Sequence, residues 1–362
     1  MARIGIVIYS LAGGGAERVT VNLAHGFISR GHDVDFILAR RDGELLESVP
    51  RRATVYAATR HSATSWRDEI REYAASQQPS VILAMMEGAG ILALQAARTT
   101  PVFVRSPVHF SRHYPHSDDW KERHLLKWAM RWYFRRADGV VGLSQGVTKE
   151  TSRIAWLARR KVTTIYNPTL TREFDRSVQL SVNHPWLCPD RTWLTVLNVG
   201  RLVSQKDQAT LLRSVAKLSE KRAVRLIILG QGPLHNQLVN LARELGIEHI
   251  VEFLGFVRNP YAYMRACDVF ALSSAWEGLG NVLVEALAAG AAVVSTDCES
   301  GPNEILADGQ FGELVKVGDH EHLATAIDNA PNAFRDCRAL KKHLKLFRSE
   351  PVTEQYLRLF GL

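Results

Sequence analysis

Two glutamates eight residues apart, Glu277 and Glu285, flank a short glycine-containing segment. Glycines let a ligand approach the backbone closely, and free backbone N–H groups at the start of a helix attract an anion. Because carboxylates repel phosphate, the natural partners of the two glutamates are hydroxyl groups beside that anion. Hydroxyls next to a phosphate suggest a nucleotide sugar. The segment that would meet the ligand consists of Gly278, Leu279, Gly280 and Asn281.

The neighbouring residues place this segment between a strand and a helix. Residues 267–272 are a short apolar run, which predicts a buried strand. Residues 282–289 are mostly good helix formers and are followed by a glycine, which predicts a helix and its end. In a parallel α/β domain such a turn lies at the carboxyl edge of the sheet, where ligands bind.

The segment resembles the Glu-x7-Glu motif of retaining glycosyltransferases of the GT-B fold, in particular glycosyltransferase family 4. The continuation at residues 290–298 and the Gly-Pro-Asn-Glu-Ile sequence at residues 301–305 are similar to the same family. The resemblance implies that Glu277 lies near hydroxyls of the donor sugar and that Glu285 accepts hydrogen bonds from the ribose. It also implies that the backbone of residues 278–281 contacts the diphosphate and the sugar.

Two basic residues follow another predicted strand, in the sequence Asn-Val-Gly-Arg-Leu-Val-Ser-Gln-Lys-Asp at residues 198–207. This sequence is similar to the Gly-Arg-Leu-x-x-x-Lys-Asp segment of the family and places Gly200 in the donor site. A departing nucleoside diphosphate gains negative charge, which Arg201 could bind as a fork and Lys206 as a point charge. Pre-placed charge of this kind is often the largest contribution to catalysis. The alternative is a solvated basic helix start.

Two further segments are expected near the nucleotide. Gly230 begins a Gly-Gln-Gly-Pro turn at the end of a predicted strand, where the family commonly has Gly-x-Gly-Pro. Residues 252–257, which include Phe256, resemble the segment whose backbone contacts the base, although they do not distinguish uracil from guanine. The run at residues 296–302 is similar to bacterial surface-polysaccharide enzymes that use UDP-sugars, which favours UDP.

The candidates in the N-terminal half are Gly14, Gly15, Arg18 and His109. Residues 13–18 do not match a dinucleotide fingerprint, because Arg18 stands where the third glycine is required. They resemble the Gly-Gly-Ala-Glu-Arg stretch of family 4, which implies contacts of Gly14 and Gly15 with the donor and of Gly14 and Arg18 with the acceptor. An ordinary glycine turn is the alternative. His109 would contact the transferred sugar by the same resemblance, and a purely structural histidine is equally compatible with its position.

Both halves of the chain alternate short apolar strands with helices, which predicts parallel α/β units. The resemblance implies two Rossmann-like domains facing across a cleft, the GT-B arrangement. We predict an acceptor-binding domain at residues 1–168, a linker at 169–191 and a nucleotide-sugar-binding domain at 192–350. Residues 351–362 are expected to form a helix that crosses back onto the first domain. Strands are predicted near residues 4–9, 34–38, 81–85, 102–106, 139–144, 193–198, 225–229, 249–254, 269–272 and 292–295.

Composition limits the class of protein. The chain has 362 residues, a formal net charge of +8 and four widely spaced cysteines, which suggests an anionic partner and reduced thiols in the cytoplasm. No apolar run approaches the ~20 residues of a membrane span, and the first residues are too short a run for a signal peptide. We expect no cofactor apart from the nucleotide-sugar substrate. Prolines interrupt the helix that would align His109, His113 and His116, and the chain is taken to lack the Asp-x-Asp signature of metal-dependent, single-Rossmann transferases, so we expect no essential metal.

A basic and aromatic segment, residues 121–136, is expected to be helical. One interpretation is peripheral contact with an anionic membrane at the inner face of the cell, where a lipid-linked acceptor would reside. The other is a helix that packs in the core with a solvated basic face. The basic residues at four-residue steps are Arg123, Lys127, Arg131 and Arg135, and the apolar residues beside them are Leu125, Trp128 and Trp132.

The resemblance implies a retaining glycosyltransferase that moves a hexose or N-acetylhexosamine from a nucleoside-diphosphate sugar to a saccharide or lipid-linked saccharide. It further implies that the acceptor hydroxyl attacks on the face from which the diphosphate departs, and that His109, Arg201, Lys206 and Glu277 act in catalysis. One alternative is a GT-B nucleotide-sugar epimerase or hydrolase. Another is a non-catalytic basic binding protein, although no nucleic-acid-binding motif is present and no nucleic-acid partner is expected.

Overall fold

A computed structural model describes residues 1–12, 14–60, 62–107, 120–332 and 336–362, and only the backbone of residues 120–123. His109 and the neighbouring His113 and His116 lie outside the described residues, as does Gly13. The chain divides into two compact units. Unit 1 comprises Met1–Thr169 and Leu346–Leu362, and unit 2 comprises Leu170–Lys345.

Unit 1 is built on a parallel sheet with helices between successive strands. Its strands are β1 (Arg3–Ile8), β2 (Asp33–Leu38), β3 (Thr54–Ala57), β4 (Val81–Met85), β5 (Val102–Ser106), β6 (Gly139–Gly142) and β7 (Val162–Thr164). Its helices are α1 (Gly15–Ser29), α2 (Ala63–Gln77), α3 (Glu87–Ala96), α4 (Trp120–Tyr133), α5 (Gln145–Ile154) and the C-terminal helix Ser349–Phe360. In the described part of the unit the strand order is β3-β2-β1-β4-β5-β6-β7.

The strands of unit 1 are buried on both faces. Alternate residues of β4 illustrate this, because Ile82 and Ala84 belong to one hydrophobic cluster whereas Val81 and Leu83 belong to another. Successive side chains of a strand point to opposite faces, so the two clusters cover the two sides of the sheet. This is why the central strands are continuous apolar runs in the sequence.

Residues 170–191 contain helix α6 (Arg172–Ser177) and belong to unit 2. Phe174 packs edge-on against Tyr261 with 4.9 Å between ring centroids, and Leu187 is buried. The hydroxyl of Thr195 donates a hydrogen bond to the backbone carbonyl of Trp186 at 2.7 Å. A linker between the domains is the expectation for residues 169–191, and the structure instead includes residues 170–191 in unit 2.

Unit 2 repeats the architecture with a different sequence. Its strands are β8 (Leu194–Val199), β9 (Val224–Leu229), β10 (Val251–Gly255), β11 (Val269–Leu272), β12 (Ala292–Thr296) and β13 (Glu313–Val315). Besides α6, its helices are α7 (Gln208–Ser219), α8 (His235–Glu244), α9 (Pro260–Ala266), α10 (Asn281–Ala289), α11 (Pro302–Ile305), α12 (His320–Asn329) and α13 (Cys337–Leu344). In chain order the C-terminal helix of unit 1 is therefore α14.

The C-terminal helix α14 packs on the sheet of unit 1. The Tyr356 ring lies 6.3 Å from that of Phe27 in an edge-on arrangement, and Val352 is fully buried. Tyr356 also accepts a hydrogen bond from the Nε of Arg105 at 3.2 Å. A helix that returns to the first unit was expected at residues 351–362, and the observed helix spans Ser349–Phe360.

The parallel sheet of unit 2 has the order β10-β9-β8-β11-β12-β13 within the described residues. The chain moves outward from β8 through β9 to β10, then returns to pair β11 with the other side of β8. The order therefore reverses between β8 and β11. In open α/β sheets, ligands bind outside the carboxyl ends of the strands at such a switch point.

Candidate active site

The loops that follow β8 and β11 are joined by hydrogen bonds at the switch point. The backbone N–H of Ala275 donates to the carbonyl of Gln205 at 2.8 Å, and the side chain of Gln205 donates to the carbonyl of Trp276 at 3.0 Å. The hydroxyl of Ser273 donates to the carbonyl of Lys206 at 2.9 Å. The Arg-Leu…Lys segment and the Glu-x7-Glu segment, predicted separately from the sequence, thus form one site.

An ion pair links the charged residues of the two loops. The ammonium of Lys206 lies 2.5 Å from Oε1 of Glu277, and their side chains are 14% and 6% exposed. The hydroxyl of Ser274 donates to the same oxygen at 2.7 Å. An ammonium has three N–H donors, so Lys206 can hold the carboxylate and still donate to a phosphate oxygen. The pair therefore fixes the position of both charges before a substrate arrives.

Arg201 precedes Lys206 in the same loop and its side chain is exposed. Its backbone carbonyl accepts a hydrogen bond from the buried side chain of Gln208 at 3.1 Å, which anchors the loop to the start of α7. The guanidinium is therefore carried on a fixed backbone and is accessible to a ligand. A Cβ on the neighbouring Gly200 would lie 3.5 Å from the Lys206 side chain, an ordinary contact.

Gly230 is required for the packing of two loops. Its φ is +144°, and a Cβ at this position would lie 1.9 Å from the carbonyl oxygen of Gly200. Its N–H donates to the carbonyl of Gly255 at 2.7 Å. The glycine turn thus packs directly against the backbone of the loop that carries Arg201. Phe256, which follows Gly255, exposes 63% of its surface at the carboxyl end of β10 and can offer a ring to a base.

The first turn of α10 offers backbone donors beside Glu277. Gly280 precedes the helix with a φ of +90° and no side chain caps its first turn, in which the N–H of Leu283 donates to the carbonyl of Gly280 at 2.9 Å. Leu279 is buried, whereas Gly278 and Asn281 are partly exposed. Gly301 supports the turn, because its φ is +95° and a Cβ there would lie 2.0 Å from the carbonyl oxygen of Leu279.

Glu285 lies in the middle of α10 and is 7% exposed. The neighbouring Leu283, Val284, Ala286 and Leu287 are buried as well, as the apolar sequence of this helix indicates. Burial of a carboxylate among apolar side chains is costly unless polar groups form hydrogen bonds with it.

A buried thiol adjoins the ion pair and was not predicted. Cys298 follows β12 and is 3% exposed. Burial raises the pKa of the Cys298 thiol to about 12. The negative charge of Glu277 adds to this effect, and the positive charge of Lys206 opposes it. The thiol is therefore neutral at physiological pH. A lone cysteine carries no chemical signature in a sequence, and only the fold brings it to the site.

In unit 1, Gly14 caps α1 and Gly15 is its first residue. A Cβ at Gly15 would meet nothing within 4 Å, so the protein itself does not require glycine there. Arg18 is exposed on the first turn of the same helix. All three residues follow β1 and therefore lie at the carboxyl edge of the sheet of unit 1, as expected for a ligand-binding loop. The roles assigned to them from the sequence stay predictions.

A cavity of about 540 Å³ opens at the carboxyl ends of β1, β2 and β4. Tyr9, directly after β1, is 52% exposed and packs edge-on against Trp66 with 6.0 Å between ring centroids. Met85, Met86 and Arg40 complete this side of the cavity. Sequence reasoning missed Tyr9, although its position after the first strand could have indicated it.

A second feature missed from the sequence is a buried polar cluster behind this edge. Ser106 donates to Glu87, and Thr151 donates to Ser106 at 3.1 Å. Burial raises the pKa of the Glu87 carboxyl, an effect that the Ser106 hydrogen bond opposes. Arg105 is 1% exposed and donates to Asn167 as well as to Tyr356. The cluster connects β5 with helices α3, α5 and α14.

Within the described ranges, no group of three or more His, Cys, Asp or Glu side chains could hold a metal ion. The expectation that the chain lacks an Asp-x-Asp sequence is wrong, because Asp33-Val34-Asp35 is such a sequence and lies at the amino end of β2. There Asp35 is buried and accepts a hydrogen bond from the hydroxyl of Tyr73 at 2.9 Å. It is therefore a structural carboxylate.

Helix α4 has an exposed apolar face. Leu125, Trp128 and Trp132 are 74%, 67% and 59% exposed. Its opposite side is anchored in the core by Met130, which is fully buried. The predicted basic stripe is only partly present, because Arg131 donates to the carbonyl of Ile154 at 3.0 Å and lies 4.0 Å over the ring of Trp156. The side chain of Arg123 lies outside the described residues. In the part of the chain that the structure describes, no helix is long and apolar enough to cross a membrane.

Two Rossmann-like units with parallel sheets, and a charged site at the switch point of the second, define a protein of the GT-B class. A family model described as "Glycosyl transferases group 1" matches residues 190–343, and one described as "Glycosyltransferase Family 4" matches residues 13–171. The chain therefore belongs to glycosyltransferase family 4.

Two of the relatives are glycosyltransferases of bacteria. The chain is 45% identical over 128 residues to an N-acetylgalactosamine-N,N'-diacetylbacillosaminyl-diphospho-undecaprenol 4-alpha-N-acetylgalactosaminyltransferase of Campylobacter jejuni, covering 35% of this chain and 34% of the relative. It is 35% identical over 234 residues to the lipopolysaccharide core biosynthesis glycosyltransferase LpsE of Rhizobium meliloti, covering 63% and 66%. The alignments thus span from a third to about two thirds of these relatives.

The fold is shared with solved structures along the whole chain. HepE of Anabaena, solved in complex with UDP, has a TM-score of 0.79 with 22% identity, covering 100% of both chains. At this identity the likeness establishes the fold. It confirms the prediction of two Rossmann-like domains of the GT-B class.

Proposed function

We propose that the protein is a retaining glycosyltransferase that transfers a hexose or N-acetylhexosamine from a UDP-sugar to a saccharide or lipid-linked saccharide. The observation that carries the proposal is the Lys206–Glu277 pair at the switch point of unit 2, beside the uncapped first turn of α10. This arrangement supplies positive charge for a diphosphate and a fixed carboxylate for sugar hydroxyls within one site.

In the proposed reaction the acceptor hydroxyl attacks the anomeric carbon of the donor sugar. A new glycosidic C–O bond forms as the bond from that carbon to the phosphate oxygen breaks. Both events occur on the same face of the sugar, and the proton of the acceptor passes to the departing phosphate oxygen. No carboxylate base is needed, which is consistent with Glu277 being held by Lys206 and Ser274.

The binding roles follow from position. Arg201, Lys206 and the first-turn N–H groups of α10 would stabilise the leaving diphosphate. Glu277 would orient the sugar through its second oxygen, and Glu285 would accept hydrogen bonds from the ribose. Because two cations and a helix terminus supply the required charge, we propose that no metal is essential.

The proposed acceptor site is the cavity beside Tyr9 in unit 1. An exposed aromatic ring suits the apolar face of a sugar, and Arg40 supplies a donor on the same lining. The names of the relatives support a saccharide carried on a polyprenyl diphosphate, since one acts on a diphospho-undecaprenol-linked saccharide and another in lipopolysaccharide core biosynthesis. UDP as the donor nucleotide is supported by the HepE complex.

We also propose that the protein contacts an anionic membrane through α4. Exposed tryptophans favour the interface between water and lipid, and Arg135 and Arg136 extend the same end of the helix with positive charge. A lipid-linked acceptor would then be within reach of the protein.

The test is a transfer assay with UDP-hexoses and UDP-N-acetylhexosamines, with and without a polyprenyl-diphosphate-linked saccharide, in the presence of a chelator. The proposal predicts an acceptor-dependent product whose new linkage keeps the α configuration of the donor. Epimerised donor without acceptor would establish the epimerase alternative instead. Product with a β linkage would overturn the retaining mechanism.

A further inference from the structure

A second cavity lies at the opposite edge of the sheet of unit 1. It has a volume of about 890 Å³ and is lined by Arg67 and Arg71 in the first half and middle of α2, the segment between α3 and β5, the end of α4 and the residue before β6. These elements meet at the amino ends of β5 and β6. A five-residue strand spans roughly 15 Å, so this cavity is separate from the carboxyl edge where Tyr9 lies.

Positive charge dominates the lining of this cavity. Arg67 and Arg71 lie one turn apart on α2 and face the cavity together with Arg98 and Arg136. Asp138 lines it as well, but one of its oxygens already accepts a hydrogen bond from the N–H of Val102 at 2.8 Å. Asp68 is not part of the lining, but it pairs with the lining residues Arg71 at 2.8 Å and Arg67 at 3.5 Å and is therefore counted with them. Four cations against two anions leave the arginine cavity with a net charge of +2.

The donors of the arginine cavity are arranged for an anion and are only partly used by the protein. The Nε of Arg67 is buried and has no hydrogen-bond partner among the described residues. Arg98 is exposed, and hydroxyl donors stand beside it in Thr99 and Thr100. A guanidinium binds two phosphate oxygens at once through parallel N–H donors, and hydroxyl groups donate further hydrogen bonds to phosphate.

We propose that the arginine cavity is a binding site for a phosphate-bearing anion, distinct from the donor site in unit 2. A phosphomonoester carries about −1.5 to −2 charges at pH 7, which matches the net charge of the cavity, whereas a single carboxylate would leave one cation uncompensated. The volume lies within the roughly 300–1,000 Å³ of small-molecule sites, so the ligand carries an organic group on the phosphate.

Two sources supply this chemistry: the phosphomonoester headgroup of a phospholipid such as phosphatidic acid, and a soluble phosphomonoester. The first is compatible with Tyr133 and Arg136, which line the cavity at the end of α4, the helix with the exposed tryptophans. The second would make the cavity a site for a small metabolite. The experiment therefore has a lipid arm and a soluble arm.

The lipid arm measures sedimentation with vesicles that contain phosphatidic acid, whose headgroup is a phosphomonoester, against phosphatidylcholine vesicles, and the soluble arm measures calorimetric binding of glycerol 3-phosphate against glycerol. Each uses the full chain, an Arg71→Gln/Arg98→Gln variant and an Arg51→Gln/Arg52→Gln control. The control removes the same charge from exposed positions of unit 1 that do not line the cavity. We expect binding in at least one arm, weakened at least about tenfold in the cavity variant and less than about twofold in the control.

Protection of the unmodified protein provides a second measurement that does not depend on a variant. Phenylglyoxal modification of Arg71 and Arg98, mapped by peptide mass spectrometry, should slow in the presence of the phosphate probe that binds, while modification of Arg52 should not. Absence of binding in both arms, equal weakening in both double variants, or protection of Arg201 in place of Arg71 and Arg98 would each overturn the proposal.

Discussion

The ammonium of Lys206 and Oε1 of Glu277 lie 2.5 Å apart across 71 residues of sequence, and both side chains are largely buried. The contact connects the loop after the first strand of unit 2 with the loop after the fourth. Each charge stabilises the other in a site with little access to water. Removing one partner leaves the other buried without compensation, which is more costly than removing both.

A double-mutant cycle on this pair should show strong coupling. We expect Lys206→Met to lower the free energy of unfolding by about 3 kcal/mol or more, because Glu277 is left buried and charged. Lys206→Met/Glu277→Gln should lose less than the sum of the two single changes. Chemical denaturation measures all three. The control is Lys217→Met in the exposed Lys217–Glu220 pair, where a change of at most about 1 kcal/mol is expected.

Glu285 should recognise the ribose of the donor nucleotide. We expect the unmodified protein to bind UDP about tenfold or more tightly than 2′-deoxy-UDP, because a buried acceptor would lose its hydroxyl partner. Glu285→Gln should bind UDP more weakly and discriminate less between the two. Competition binding of both nucleotides provides the measurement. Equal discrimination in the two proteins would assign the ribose contact to another residue.

The glycine turn after β9 should be intolerant of any side chain. We expect Gly230→Ala to destabilise unit 2 by more than about 2 kcal/mol and to weaken nucleotide binding, since its Cβ would overlap the Gly200 carbonyl and displace the Arg201 loop. Gly246→Ala is the matched control. Gly246 also has a positive φ, +69°, but a Cβ there meets nothing within 4 Å, so a loss of only about 1–2 kcal/mol is expected.

The Cys298 thiol should make stability depend on alkaline pH. Its pKa is raised from 9.0 to about 12 in the folded protein. Below pH 9 the thiol is protonated in both states, and its contribution to stability is fully present. As the pH rises from 9 towards 12, only the unfolded state ionises, so stability falls by up to about 1.4 kcal/mol per pH unit.

Denaturation of the unmodified protein and of Cys298→Ala between pH 7 and 11 isolates the contribution of the thiol to the free energy of unfolding, because all other titrating groups are common to both proteins. The slope with pH should be steeper in the unmodified protein. A parallel pair of curves would show that the thiol is accessible to water. Alkylation at pH 8 should also modify the exposed Cys188 and Cys337 well before the buried Cys267 and Cys298.

The tryptophans of α4 should drive the proposed membrane contact. We expect Trp128→Ser/Trp132→Ser to reduce binding to phosphatidylglycerol vesicles about tenfold or more, while the melting temperature stays close to that of the unmodified protein because both side chains are exposed. Leu180→Ser removes an exposed apolar side chain from unit 2 and should have no effect on sedimentation. Undiminished binding by the tryptophan variant would contradict the assignment of this face.

The central strands could be predicted from the sequence, whereas several edge strands could not. Val81–Met85 and Val269–Leu272 are buried on both faces, so continuous apolar runs mark them. The strands without a prediction, β3, β7 and β13, are three or four residues long, partly exposed and located at sheet edges. Short half-exposed strands carry no distinctive pattern, and pairing with a neighbour defines them.

The same division applies to the candidate site. Local motifs placed Arg201, Lys206 and the Glu277–Glu285 segment at strand ends, and the structure puts them there. The direct pairing of Lys206 with Glu277, the thiol of Cys298 beside it and the Tyr9 cavity depend on contacts between residues far apart in the sequence. Spacing along the chain contains no information about such contacts.

We propose that the switch point of unit 2 binds a nucleoside diphosphate without a metal. Calorimetric titration of UDP, in chelator and then in magnesium, tests it most directly with the unmodified protein, Lys206→Ala and the exposed control Arg213→Ala. We expect saturable binding in chelator that Lys206→Ala weakens at least about tenfold and Arg213→Ala leaves unchanged. Binding that requires magnesium, or that is unaffected by Lys206→Ala, would contradict it.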